Sequence, residues 1–126
     1  MAAIPASLAA SIVAFLLNKY MVRAVGRSAV VTASPAIEET SKTILAMVLG
    51  APVVAAHLGF GMVEGLYDMS KGRQVSGLAL GLSVLSHFVF GLITYAGSAV
   101  SASWLAGLGA AILVHTIWNK AILEIW

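Results

Sequence analysis

From residue 75 to residue 97 the chain carries no Asp, Glu, Lys or Arg, and the neighbouring stretches 52–70 and 101–124 carry only two such residues each. Apolar runs of this length have no water with which to satisfy their backbone N–H and C=O groups, so each must close its hydrogen bonds within itself as a helix. The alternating pattern that a membrane barrel needs is absent. The whole chain follows suit, with 126 residues of which 60% are hydrophobic and 10% charged and a mean hydropathy of +0.99. That composition excludes a water-soluble enzyme. The expected fold is all-α, a single polytopic transmembrane helix bundle over residues 1–126 with membrane lipid as its partner.

Five spans are expected, at about residues 2–22, 36–49, 52–70, 75–97 and 101–124. The first, apolar from Ala2 to Leu17, lacks a basic n-region and a following small-residue cleavage site, so it reads as a retained helix. Pro35 suits the first turn of the second helix, with Ser34 as N-cap, because proline lacks only a donor that is unpaired there. Gly50 with Pro52, Ser70 to Gln74, and Gly97 to Ser101 supply the later turns. A second helix of about 14 residues would be roughly 21 Å long, short of a hydrocarbon core of about 30 Å.

Lys19, Arg23 and Arg27 follow the first helix, Lys71 and Arg73 the third, and Lys120 lies near the end of the fifth. Five antiparallel spans bring all of these to one side, which the bias of short basic loops makes cytosolic. The N-terminus is then expected outside and the C-terminus in the cytosol. The net charge of +2 includes no basic run with interleaved aromatics, so nucleic acid is not a partner. With no cysteine, thiolate nucleophiles and thiolate metal sites are excluded.

Ionisable groups inside membrane spans are expensive unless paired or wetted, which makes each a candidate for function. Glu38, Glu39, Lys42, His57, Glu64, His87 and His115 all fall within or at the edge of the spans. Glu39 lies eleven positions before Gly50 and Glu64 twelve after Pro52, so a hairpin sets them at similar depth. The same count about the last turn, ten positions for His87 and fourteen for His115, brings the two histidines near one level. Glu38 and Lys42 are spaced i,i+4 and suit an ion pair, with Glu39 about 100° away and freer. His115 and Asn119, also i,i+4, share a face and have the chemistry to donate to an oxyanion.

In order along the chain stand SPAIEETSK (Ser34 to Lys42), GFGMVEGLYD (Gly59 to Asp68), LSHFVFGLITYAG (Leu85 to Gly97) and ILVHTIWN (Ile112 to Asn119). Over residues 34–119 the chain resembles the PrsW family of intramembrane proteases, which belongs to a larger group with the CAAX prenyl endopeptidases and the bacteriocin-processing enzymes. The resemblance sets an EExxK motif on Glu38, Glu39 and Lys42, an FxxxE motif on Phe60 and Glu64, and the family's histidines on His87 and His115. It implies a four-helix catalytic core, here in minimal form, in a prokaryotic cell membrane. His57 matches no family position and reads as structural, and Trp104, Trp118 and Trp126 read as packing or interface anchors.

The expected function is hydrolysis of peptide bonds in membrane-protein or peptide substrates by a Glu-activated water. Glu38 or Glu39 is the general base, Glu64 and His87 hold water or a metal, and His115 with Asn119 stabilises the oxyanion. Glu64, His87 and His115 have the ligand types of a zinc site with one open position, yet no HExxH spacing is present. Metal-assisted and metal-independent chemistry both stay open, as does a homo-oligomeric state. The alternatives are a proton or cation transporter or channel subunit using the same residues, and a catalytically silent scaffold.

Overall fold

The computed structural model describes residues 1–71 and 76–125, which form five helices and no strand. They are α1 (Ala3–Val25), α2 (Ala29–Val48), α3 (Val53–Ser70), α4 (Ser76–Ser101) and α5 (Trp104–Ile125). Three are long and apolar enough to cross a membrane: α1, α4 over Gly77–Ser101, and α5 over Trp104–Glu124. The two others carry all the acidic residues but Glu124, namely Glu38 and Glu39 on α2 and Glu64 and Asp68 on α3, with Lys42 on α2 beside them.

The bundle is small inside and large outside. On α1 the inward residues are Ala6, Ser7, Ala10 and Ala14, whereas Ile4, Leu8, Ile12 and Leu16 are exposed. In water such a surface would aggregate, but lipid is as apolar as leucine, so nothing drives the large side chains inward. Small residues let the backbones approach instead. Gly97 and Gly107 mark one close crossing, since a Cβ built on Gly107 would collide with the Thr94 carbonyl and the Ser98 hydroxyl.

α1 and α3 lie side by side in the same direction, with the Ser7 hydroxyl donating to the Ala56 carbonyl at one end and Phe15 packing edge-on against Tyr67 towards the other. Asn119 near the end of α5 reaches Val30 near the start of α2. The C-terminal ends of α1, α3 and α5 therefore share one end of the bundle, which holds Lys19, Arg23, Arg27, Lys71 and Lys120. Most of the expected turn at Ser70 to Gln74, with Arg73 and the anchor residue Trp126, lies outside the described residues.

α2 ends in a Schellman arrangement, with the Ala51 N–H on the Ala46 carbonyl and the Gly50 N–H on the Met47 carbonyl, which needs the left-handed φ of +64° at Gly50. Its start departs from the sequence reading. α2 begins at Ala29, Pro35 lies inside it, and Ser34 is a buried helical residue rather than the cap. The residues 29–34 contain no other breaker, and a proline within a membrane helix is tolerated where neighbours satisfy the freed backbone. Asn119 Nδ2 donates to the Val30 carbonyl at 3.0 Å, one residue before the Val31 carbonyl that Pro35 leaves without its helical donor. With 20 residues, α2 is about 30 Å long and not short. The last turn also shifts, to Ala102 and Ser103, with α4 running on to Ser101.

Candidate active site

Four helices bring their ionisable residues to one buried cluster. Glu39 is fully buried and saturated: Oε1 accepts from Lys42 Nζ at 2.5 Å and from His115 Nδ1 at 2.8 Å, and Oε2 meets His57 Nε2 at 3.0 Å. Lys42 Nζ also reaches His87 Nδ1 at 2.8 Å and lies 4.6 Å from the centre of the Phe60 ring. His87 Nε2 in turn meets Glu64 Oε2 at 2.7 Å, the same oxygen that accepts from the Ser83 hydroxyl. Phe90 stacks on His115 at 4.4 Å and Phe60 stands edge-on to His87 at 5.0 Å, which fixes both imidazole planes.

The partners decide where the hydrogens lie. Lys42 can only donate, so His87 Nδ1 accepts and its Nε2–H donates to Glu64. The Val53 carbonyl, 2.9 Å from His57 Nδ1, can only accept, so Nδ1 carries a hydrogen. Nε2 then faces a carboxylate oxygen, and a bond between them requires one further proton on the ring or on the acid. His115 donates from Nδ1 to Glu39, which leaves its Nε2 as an acceptor.

Glu38 stands apart from this saturated network. Asn18 Nδ2 on α1 donates to its Oε1 at 2.9 Å. Its Oε2 is buried, has no hydrogen-bond partner among the described residues, and lies 3.8 Å from His115 Nε2. Two acceptors at that separation suit a water that donates to both. Glu64, with 40% of its side chain exposed, lines a cavity of about 700 Å³ between α3, α4 and α5 that also takes in His87, His115, Trp118 and Asn119.

All six residues singled out in the sequence as catalytic thus lie in or beside one site, with three differences from the expected arrangement. The buried ion pair joins Lys42 to Glu39, three residues away, and not to Glu38. Asn119 has one N–H committed to Val30 and lines the cavity a turn beyond His115. His57, which the sequence presents as structural, is in direct contact with Glu39. It sits seven positions before Glu64, two turns along the same face of α3, a spacing that could have signalled it. Sequence reasoning does not find Asn18 or Ser83 either. Asn18 is a carboxamide at the end of the apolar run of α1, directly before Lys19, and Ser83 stands one turn before His87.

The group with metal-binding geometry is Glu38, His87 and His115, whose ligand atoms lie within 4.8 Å of one another. Glu64 is not in this group: its Oε2 is held by His87 and Ser83. Glu38 and His115 each have a free donor atom, but both nitrogens of His87 are engaged. An ion there would have to displace Glu64 or Lys42 from the ring and, in the first case, sit near an ammonium. Among the described residues this buried Glu/His/His group could hold a metal ion if one nitrogen of His87 were released from its present partner.

Comparison with protein-family models, with curated proteins and with solved structures finds no match. The functional reading rests on the residues themselves and on the motif resemblance they carry.

Proposed function

We propose that the chain is an intramembrane endopeptidase of the metal-independent, glutamate type, with Glu38 as general base. The observation that carries this is the contrast between two adjacent carboxylates: Glu39 is saturated by Lys42, His57 and His115, whereas Glu38 keeps one oxygen unpartnered opposite His115 Nε2. The order of the motifs from Ser34 to Asn119, resembling PrsW proteases, points the same way.

Glu38 takes a proton from the water as its oxygen attacks the scissile carbonyl carbon. It returns that proton to the amide nitrogen as the C–N bond breaks, leaving a carboxylic acid and an amine. His115 Nε2 accepts the water's other hydrogen and aligns its lone pair. Asn119 has one N–H left after its bond to Val30 and is the donor available to the oxyanion. Lys42 and Glu39 hold His87 and His115 in place.

The test is the purified chain incubated with a panel of transmembrane peptides. Cleavage is expected, and a chelator is expected to leave its rate within about twofold, because no zinc needs to be restored. Chelation that abolishes cleavage, with zinc restoring it, would establish the metal-assisted form. Liposomes that pass protons or cations, with no peptide cleaved, would establish a transporter.

The basic residues at the shared end of α1, α3 and α5 favour the cytosol for that end, because the turns at the other end, Gly50 to Pro52 and Ala102 to Ser103, are uncharged. Reporter tags at Met1 and after Trp126 are expected outside and inside. A cytosolic Met1 would reverse the assignment.

A further inference from the structure

A second cavity, of about 430 Å³, opens on the other side of Glu38 between α1, α2 and α3. Its walls are apolar, among them Leu8, Ile12, Phe15, Val63 and Tyr67, and several of these side chains are exposed on the outer surface of the bundle. Five polar residues stand among them: Ser11, Asn18 and Glu38, with Glu64 and Asp68, which also line the larger cavity. Asn18 and Glu38 each have one buried oxygen, Asn18 Oδ1 and Glu38 Oε2, with no hydrogen-bond partner among the described residues. Asn18 Nδ2 is bonded to the other Glu38 oxygen at 2.9 Å, so the two orphan acceptors belong to one locked pair.

Glu38 Oε2 is the base that meets the attacking water, so the unmet demand in this cleft is Asn18 Oδ1, an acceptor buried without a donor, which calls for an occupant that supplies one. A lipid acyl chain has none. An extended peptide supplies an N–H every residue, at about 3.3 Å spacing, on a chain whose apolar side groups suit the walls. The volume lies within the range of about 300–1,000 Å³ typical of ligand sites. The larger cavity, with Glu64, Ser83 and Asn119, is the more polar approach and suits water.

We propose that the α1–α3 cleft seats an extended, apolar peptide segment against Glu38, with Asn18 Oδ1 accepting a backbone N–H from it. This rests on the peptidase reading and names its substrate class: a membrane-embedded segment unwound at the cleavage point, entering between α1 and α3. Asn18 is a substrate-binding residue, and through its bond to Glu38 it also positions the base.

The probe is a synthetic leucine-rich transmembrane peptide carrying one diazirine leucine at mid-span, photolysed with the full chain in detergent. Mass spectrometry is expected to find adducts on Ile12, Phe15 or Tyr67 at least tenfold above those on Leu82 or Trp118. Asn18→Leu is expected to cut these adducts at least fivefold. Ile12→Trp, on a side chain 61% exposed, fills the cleft mouth without disturbing packing and is expected to do the same. Leu113→Trp, equally exposed on α5, is expected to leave them unchanged. Adducts centred on Leu82 and Trp118, or spread evenly over the outer surface as a lipid-like solvent would give, overturn the proposal. Adducts in the cleft with no cleavage keep the cleft as a peptide site and remove the peptidase reading. Cleavage with adducts only in the α4–α5 cavity does the reverse.

Discussion

Lys42→Met is expected to destabilise the bundle by about 3–5 kcal/mol, the cost of leaving one partner of a buried ion pair alone. Both side chains are fully buried, and the ammonium is the group that joins Glu39 to His87. Removing it leaves Glu39 with only histidine donors and His87 Nδ1 with none. The loss is not that of a surface lysine, for which about 0–1 kcal/mol is usual. Adding Glu39→Gln to Lys42→Met is expected to recover a large part of the loss, because the uncompensated charge goes with it, giving a coupling of about 1–3 kcal/mol in a double-mutant cycle. Denaturation of the four proteins in a titration with a denaturing detergent measures this. A single Lys42→Met cost below about 1 kcal/mol would mean that the pair does not hold the core together.

Glu38→Gln is expected to lower turnover of a cleavable transmembrane peptide by about 10²–10⁴-fold, with KM nearly unchanged, because the amide keeps the shape of the acid and loses the base. The carbonyl oxygen of the new amide can still accept from Asn18 Nδ2, so the fold is expected to survive. Glu39→Gln differs in kind. Its new NH2 group would have to replace an oxygen that now meets Lys42 and His115 or His57, so it is expected to weaken the fold as well as activity. Comparing the denaturation midpoints of the two variants alongside their kinetics separates a base from a structural carboxylate. Retention of turnover in Glu38→Gln would take the base role away from Glu38.

α1, α4 and α5 are legible in the sequence because continuous apolar length is itself the constraint that lipid imposes. The convergence of Glu38, Glu39, Glu64, His87 and His115 is legible too, since equal counts from a hairpin turn give equal depth whatever the side chains do. What cannot be read is which face of α2 turns inward. Spacing alone allows Lys42 to pair with Glu38 at i+4 or Glu39 at i+3. The choice is made by α3 and α5, whose His57 and His115 close around Glu39, and by Asn18 on α1, which takes Glu38. The start of α2 departs from expectation because proline prefers a first turn, whereas here Pro35 lies inside a helix that begins at Ala29. The metal set shifts from Glu64 to Glu38 for a related reason. Depth is right, but Ser83 and His87 turn Glu64 away from His115.

Cleavage of a transmembrane peptide by the purified wild-type chain in water enriched in oxygen-18, with Glu38→Gln run beside it, tests water activation by Glu38 most directly. The expected result is a new C-terminal fragment that has gained one solvent oxygen in the wild-type sample and is almost absent from the variant. Fragments forming at the same rate in both samples, or an intact peptide where the same wild-type protein in liposomes passes protons, would contradict it.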